Sequence, residues 1–445
     1  MIGYNWGTSI TNCYVIGNVN SNNAHSYSGE NYIGGLIGYN YGYDIVINVI
    51  SCYVIGDVSG TGTYTYIGGL IGRNRHNVSD CYVVGNISGS NSGGSIGVGG
   101  LIGHNSDAVT NCYTNSNVSS TGSSSHTSNP QNGNFVGGLI GYSSSAVTKC
   151  YATGDVNGSG SSFSTCVGGL IGDCSGYCFK CYAIGNVSGS GNNGSSDFYD
   201  DRGNHVGGLI GYCYAGRLSD CYATGDAIGN STICTSNVGG LIGYSSRFYN
   251  SSGSSISNCF ATGKVSSSHN VGGFLGNNYG GTINNCFFDY QTTGQIYGVG
   301  SGSGTVNNLH GKTTAEMKTK TTFTSVDWDF ATIWGIDEGV TYPYFIDEQV
   351  AVNDLVQNVN IQLFPNPTTG ELKIESGELK IEDVEIFDIY GKQLSSFTPF
   401  NFPAGGGDIT SSSPHKIDIS HLSAGVYFVK IYTEKGEVVR KVVKE

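Results

Sequence analysis

The most reactive side chains in this sequence are thiols. Fourteen cysteines in 445 residues are too many for an ordinary cytosolic enzyme and too regularly placed for chance. Nine of them, Cys13, Cys52, Cys81, Cys112, Cys150, Cys181, Cys221, Cys259 and Cys286, open a recurring phrase. Five more, Cys166, Cys174, Cys178, Cys213 and Cys234, stand apart from it. Cys174, Cys178 and Cys181 have the short spacing of metal ligands, but a structural zinc site takes four and no fourth is evident. Asp197, Asp200 and Asp201 could hold Ca²⁺ through carboxylate oxygens, although a solvated acidic loop explains them more simply. His25, His76, His104, His126, His205 and His269 fall in loops or irregular positions without a partner motif. No catalytic, cofactor-binding or metal-binding residue is therefore assigned.

These residues sit in a repeating frame. GGLIG occurs at Gly34, Gly68, Gly99, Gly137, Gly168, Gly207 and Gly239, and the variant GGFLG at Gly272. Between the copies comes the second phrase, as in Cys52-Tyr-Val-Ile-Gly-Asp-Val58 and Cys81-Tyr-Val-Val-Gly-Asn-Ile87. The lengths between phrases vary through Ser-, Gly- and Asn-rich stretches such as Ser119 to Asn134 and Ser188 to Asn204, which read as loops inserted into a constant frame. Taken with period two, the second phrase puts Cys, Val or Ala, Gly and Val on one face and Tyr, Ile or Thr, and Asn or Asp on the other. That alternation predicts a half-buried strand.

One such repeat cannot bury its apolar face alone, so the copies are expected to stack as a parallel β-solenoid with rungs roughly 4.8 Å apart. Equivalent residues then lie above one another. The nine phrase cysteines become an inward ladder of small hydrophobes. Cys174 and Cys213, each two residues past a GGLIG, fall on consecutive rungs, where a disulfide is geometrically allowed. Asn18, Asp57, Asn86, Asn117, Asp155, Asn186, Asp226 and Lys264 form an outward column in which no two Asp are adjacent. A stack favours that order, because like charges on neighbouring strands repel while amides form ladders. Tyr14, Tyr53, Tyr82, Tyr113, Tyr151, Tyr182, Tyr222, Phe260 and Phe287 form the aromatic column beside it.

Composition agrees with an ordered repeat. There are 71 Gly, 38% apolar residues and only 12% charged ones, with a net charge of −13. No basic block suits nucleic acid, and no apolar run approaches the roughly 18 residues of a membrane-spanning helix. Pro130 is the only proline in the first 342 residues, so ladders can run uninterrupted.

The GGLIG core, repeated in frame over about residues 1–290, resembles the GLUG motif of large, adhesin-like bacterial surface and secreted proteins. Asn115-Ser116 and Phe274-Leu275 depart from its usual pattern. The motif implies no catalytic residue. Repeat-in-toxin calcium rolls need an Asp after the Gly pair in each repeat, whereas GGLIG is followed here by Tyr39, Arg73, His104, Tyr142, Asp173 and Tyr212. Met1-Ile2-Gly3-Tyr4-Asn5 matches Leu36-Ile37-Gly38-Tyr39-Asn40 in frame, and these first residues have neither the basic n-region nor the apolar h-region of a secretory signal. The chain is therefore expected to be a piece of a longer parent that carries more repeats and an export signal.

Residues 291–350 are expected to link and cap. The Gly298 run reads as a flexible bend, and Thr313-Thr314-Ala315-Glu316 as a capping box opening a short helix through about Lys320. Phe323, Trp328, Phe330, Trp334, Tyr342, Tyr344 and Phe345 read as the solenoid's cover, with a carbohydrate platform as the alternative. Residues 351–445 switch to six or seven short strands, suiting an immunoglobulin-like β-sandwich. Phe364-Pro365-Asn366-Pro367 with Gly370, then Tyr390-Gly391-Lys392, then Gly425-Val426-Tyr427-Phe428-Val429-Lys430 resemble the C-terminal sorting domain of bacterial type IX secretion. That resemblance implies export by the type IX machinery to the outer face of the outer membrane, followed by release or attachment to surface lipopolysaccharide. In its family pattern the matching positions are Phe364, Pro365, Asn366, Pro367, Gly370, Gly391, Gly425, Tyr427 and Lys430.

The expected protein is an all-β, secreted or cell-surface repeat protein of about eight GLUG repeats. It binds an unidentified glycan or protein ligand and is not an enzyme. A carbohydrate-active β-helix enzyme and a passive surface spacer are the alternatives. Enzymatic chemistry of that kind needs clustered carboxylates or a carboxylate with Lys or Arg, and residues 1–290 hold eight Lys and Arg in all.

Overall fold

A computed structural model of the chain describes residues 1–22, 30–42, 47–91, 93–122, 133–160, 164–191, 203–231, 236–247, 253–346, 362–365, 368–375, 381–388, 393–397, 415–423, 425–433 and 436–444. Two compact units divide it, one holding Met1–Phe330 with Ile336–Pro343, the other Ala331–Gly335 with Tyr344–Glu445.

The first unit is a parallel β-solenoid whose coils have four walls. One coil passes through Ile37–Asn40 (wall A), Val49–Ile50 and Tyr53–Ile55 (wall B), Val58–Gly62 (wall C) and Tyr64–Gly68 (wall D), and Ile71–Asn74 begins the next. Among the described residues wall A has ten strands, and walls C and D have eight each. Pairing is in register: Ile37 meets Ile71, Ile71 meets Ile102, and Val54 meets Val83. The second phrase is two strands rather than the single one expected. Its Gly-Asn/Asp pair turns a corner from wall B to wall C, with φ of +148° at Gly56 and +146° at Gly85.

The glycines of GGLIG explain why the coils can close. At Gly137 a Cβ would stand 2.0 Å from the Ile140 carbonyl oxygen, and at Gly138 it would stand 2.0 Å from that of Gly169 on the next coil. At Gly141 it would meet the Gly103 oxygen at 2.6 Å. No side chain fits any of the three positions. Inside the coil Leu, Ile, Val and the phrase cysteines form one continuous core. The size of the side chain varies along its columns. Val54 and Val83 occupy a column that becomes Ala152, Ala183 and Ala223 and then Phe288. Phe274 replaces the usual Leu beside it, so the variant GGFLG copy enlarges the core close to the last coil.

The coils continue beyond residue 290. The Gly298 run, read above as a bend, supplies the tenth strand of wall A, Val299–Gly302, paired to Leu275–Asn278. Leu309–Lys312 then pairs with Cys286–Asp289. Thr313 makes the expected capping box with Glu316, but the helix is only Thr314–Met317, and a second, Lys320–Thr324, follows. Phe323 and Trp328 are buried against Phe287 at 4.8 and 5.5 Å between ring centroids. Trp328 Nε1 donates to the Asn285 carbonyl and the Tyr342 hydroxyl to Asp289 Oδ2. These aromatics cover the outer side of the final coils. Trp334 and Phe345 pair instead in a two-stranded ribbon of the second unit.

The second unit has a three-stranded antiparallel sheet (Gln362–Phe364, Glu371–Glu375, His415–Asp418) and a four-stranded one (Gln393–Phe397, Ile381–Asp388, Gly425–Thr433, Gly436–Lys444). Leu372, Ile374, Val384, Ile386, Ile417, Val429 and Val442 form their shared core, giving the expected β-sandwich.

Gly138→Ala is expected to destabilise the solenoid by about 3 kcal/mol or more, because backbone on both sides of the new methyl must move. Gly3→Ala, where a Cβ meets nothing within 4 Å, is expected to change stability by less than about 1 kcal/mol. Thermal unfolding followed by circular dichroism checks both, and equal melting of the two variants would refute the glycine argument.

Candidate functional site

Three ladders run along the solenoid at its wall B to wall C edge. Before every phrase cysteine the chain enters the left-handed region: Asn12, Ser51, Asp80, Asn111, Lys149, Lys180, Asp220, Asn258 and Asn285 have φ between 51° and 56°. This kink takes the cysteine N–H out of ordinary strand pairing, and the thiols answer it. The N–H groups of Cys13, Cys52, Cys81 and Cys112 donate to the sulfur of Cys52, Cys81, Cys112 and Cys150 at 3.3–3.4 Å. Each thiol in turn donates to the carbonyl two residues earlier, as Cys81 does to Ser79 at 3.0 Å. Burial pushes the Cys150, Cys221 and Cys259 thiols well up, away from the thiolate form that reacts.

The Asn/Asp column has the expected side-chain contacts at Asn117 Nδ2 to Asn86 Oδ1 (3.3 Å) and Asn86 Nδ2 to Asp57 Oδ1 (3.2 Å), but most of its bonds are of another kind. Its side-chain oxygens accept main-chain N–H groups from the next coil. Asn18 Oδ1 takes the N–H of Asp57, Asp57 that of Asn86, Asn117 that of Asp155, Asp155 that of Asn186, Asn186 that of Asp226, and Asp226 that of Lys264, all at 2.7–3.1 Å. Asp and Asn both supply this oxygen, so either suits the position and the lysine needs none. The tyrosine column stacks as expected from Tyr14 through Phe260, with centroids 4.8–5.1 Å apart and planes within 10°. Stacked this way, the rings shield one another's faces, and Tyr182, Tyr222 and Phe260 are buried.

A second set of polar and aromatic groups lies in a seam where walls D and A meet outside the aliphatic core; Tyr32, Tyr66, Arg73, His104, Tyr142 and Tyr212 are half-buried there, and Asp173, His205 and Tyr244 are buried. Wall D contributes Tyr32, Tyr66, Gly97, Phe135, Cys166, His205, Asn237 and Asn270 in register. Wall A contributes Tyr39, Arg73, His104, Tyr142, Asp173, Tyr212, Tyr244 and Asn277. Arg73 bonds Glu30 and the Tyr32 hydroxyl, and its guanidinium lies 5.4–5.8 Å from the Tyr32, Tyr39 and Tyr66 ring centres. His104 lies 5.0 Å from Tyr66 and 4.8 Å from Tyr142. Burial, with Arg73 nearby, lowers its pKa to about 4. His205 is fully buried, stacks 4.9 Å from Tyr244, and its Nδ1 lies 3.0 Å from Asn237 Nδ2. His104 and His205 are thus strand residues with partners, contrary to the loop assignment made from sequence. Asp173, between Tyr142 and Tyr212 in its column, has its pKa raised to about 8 by burial.

Of the other sequence candidates, Cys174 and Cys213 are register partners on adjacent coils. Both are free thiols, as are the nine ladder cysteines, Cys166 and Cys178. Cys174 Sγ also lies 3.7 Å from Cys178 Sγ. Asp197, Asp200, Asp201, His25, His126 and Cys234 lie outside the described residues. Among the described residues no group of three or more His, Cys, Asp or Glu could hold a metal ion. In the sandwich, Gly370 has φ +152° and a Cβ there would stand 2.9 Å from Ser420. Tyr427 is buried with its hydroxyl donating to the Ser423 carbonyl at 2.7 Å, Lys430 lies 4.9 Å from the Tyr432 ring centre, and Gly425 opens its strand. Phe364 is partly exposed beside Pro365. Asn366, Pro367 and Gly391 lie outside the described residues.

The family model of the GLUG motif matches residues 29–59, 63–88, 132–157, 202–228 and 235–266. That of the secretion system C-terminal sorting domain matches residues 362–445. A Gly-rich membrane protein of Evansella cellulosilytica is 40% identical over 126 residues, which cover 26% of this chain and 13% of that protein. The chain thus spans only a small part of that relative's length. Among the described residues no helix is long and apolar enough to cross a membrane.

Two measurements follow from this geometry. A carboxyl whose folded pKa lies above its unfolded 3.8 keeps its proton in the fold while the unfolded chain releases it, so stability falls as pH rises from about 4 to about 8 and is flat above. Asp173→Asn is expected to remove that decline in a pH series of melting temperatures; parallel curves for the two proteins would refute it. Peptide mapping after air oxidation is expected to join Cys174 to Cys213, and recovering both as free thiols, or Cys174 joined to Cys178, would exclude the cross-coil bridge. The chain thus carries GLUG-motif repeats in its solenoid and, over residues 362–445, a secretion system C-terminal sorting domain.

Proposed function

We propose that this is a non-enzymatic surface protein in which the solenoid presents a ligand-binding seam and the C-terminal sandwich is the address read by the type IX secretion machinery. The observation that carries the binding half is the seam itself. Every coil must bring one residue of wall D against one of wall A, and apart from Gly97, Phe135 and Cys166 the chain fills these places with Tyr, His, Arg, Asp and Asn rather than with Val or Leu. Such groups in a core-like position contribute less to stability than aliphatic packing would. The seam's half-buried members, Tyr32, Tyr66, Arg73, His104, Tyr142 and Tyr212, give a rigid wall aromatic edges and hydrogen-bonding groups at fixed spacing, which is what recognition of an extended ligand needs.

The export half rests on the match of residues 362–445. The sorting residues divide into two kinds. Gly370 and Tyr427 hold the sandwich together, and Phe364 and Lys430 remain partly exposed, where they can be read by a partner. Attachment to surface lipopolysaccharide after processing is part of the same proposal.

Deleting residues 352–445 from the parent protein is expected to leave it in the periplasm, read by fractionation and immunoblot. Arrival of the truncated protein in the medium or at the cell surface would overturn the export assignment. The purified chain is expected to bind at least one member of a panel of immobilised glycans and matrix proteins, whereas silence across the panel would favour a passive spacer.

A further inference from the structure

Toward its C-terminal end the seam changes chemistry. Its early rungs carry Tyr, Arg and His; its last carry Asn237, Asn270, Asn277 and Ser301. The wall D amides are chained: Asn270 Nδ2 donates to Asn237 Oδ1 at 2.8 Å, and Asn237 Nδ2 lies 3.0 Å from His205 Nδ1. At the last coils of wall A and wall D the seam opens into a cavity of about 530 Å³, lined by His269, Asn270, Asn277, Tyr279, Ser301, Gly302 and Ser303. That volume lies within the roughly 300–1,000 Å³ of small-molecule pockets.

Asn277 is the informative residue. It is 9% exposed, and its Oδ1 is buried without a hydrogen-bond partner. Leaving a buried acceptor without a donor is unfavourable, and this one lines the cavity. Gly302 keeps it open: φ there is +111°, and a Cβ would stand 2.7 Å from that same oxygen. The rest of the lining is also specific in kind. Ser301 and Ser303 bring hydroxyls that donate or accept, His269 brings an imidazole whose Nδ1 is 2.9 Å from Ser268 Oγ, and Tyr279 brings a 42% exposed ring. Arg247 lies 5.9 Å from the Tyr279 ring centre but is not part of the lining, which among the described residues contains no Asp, Glu, Lys or Arg.

A ligand for this cavity must donate a hydrogen bond to Asn277, exchange several more with hydroxyls, offer an apolar patch to an aromatic ring, and carry no charge that the lining would have to neutralise. We infer that the cavity binds a neutral sugar unit, the chemistry that combines several hydroxyl donors on one edge with a C–H face on the other. This rests on the reading of the solenoid as a ligand-binding surface and names the place and ligand class within it. The stacked tyrosine column does not compete for this role, since its rings cover each other's faces.

The test uses the full chain and saturation-transfer NMR with glucose, galactose, mannose and N-acetylglucosamine, alongside glucuronic acid as a charged comparison. A second arm presents the same sugars as the ends of immobilised polysaccharides. At least one neutral sugar is expected to bind saturably, with the charged one at least tenfold weaker. Tyr279→Ala and Asn277→Leu are each expected to weaken binding at least tenfold, with melting temperatures reported for both. Tyr279 is a surface residue, so its variant remains informative even if Asn277→Leu fails to fold. Binding only in the polysaccharide arm would still support the site, provided that Tyr279→Ala abolishes it. Full binding by Tyr279→Ala, or no neutral sugar bound in either arm, overturns the assignment. If the chain nevertheless captures a panel member with Tyr279→Ala unaffected, the cavity inference fails while the broader binding function stands. Silence everywhere removes both.

Discussion

The solenoid depends on one constraint, the close approach of backbone to backbone at the wall D to wall A turn. Three glycine columns pass through that turn, and in each the space a Cβ would fill is already held by a carbonyl oxygen or an amide nitrogen of the same or the next coil. Only when the turn is that tight can Leu70 and Ile71 both donate to the Leu101 carbonyl, and Leu101 and Ile102 to that of Leu139. The whole register of the other three walls follows, since a slip of one residue would carry a side chain into the glycine columns and turn every inward residue outward.

Exact superposition has a chemical price for charged groups. Two like charges one rung apart, roughly 4.8 Å, repel by about 1 kcal/mol in water and several times more beside protein. This explains why the repeat region is nearly free of charge and why its repeated polar positions use groups that gain from meeting their own kind. The Asx column hands its oxygens to the next coil's N–H groups, the cysteine column exchanges N–H and S–H contacts, and the tyrosines stack. Inside, Asn40, Asn74 and Asn105 form a buried amide ladder at 2.9 Å that finishes on Ser143. Most of these columns stabilise the fold. The D–A seam differs because its members change from coil to coil, with Arg73, His104, Tyr142 and Asp173 in succession, whereas each of the other columns keeps largely to one kind of group.

The two units divide the protein's tasks. The solenoid supplies extent and rigidity through parallel pairing, whereas the sandwich closes a small core of its own from antiparallel strands. Helices and aromatics after Lys312 cover the outer side of the last coils, and Phe274 and Phe288 fill the interior there.

A good part of this was legible in the sequence. The recurrence of GGLIG and of the cysteine phrase determined the stacking, the in-register columns of Cys, Tyr and Asn/Asp, and the capping box at Thr313, because each is a local pattern repeated in frame. The three phrases near the C-terminus likewise marked the sandwich. What the sequence could not show was where the chain turns. The phrase from Cys52 to Val58 reads as one strand by its period of two, yet the left-handed residue before it and Gly56 within it bend it around a corner. Nor does the Gly298 run resemble a strand until Leu275–Asn278 offers it an edge to pair with. The D–A seam and its cavity were invisible for the same reason: Asn270, Asn277 and Ser301 lie on different strands, and only tertiary closure of the coils brings them to one place and leaves the Asn277 oxygen without a partner.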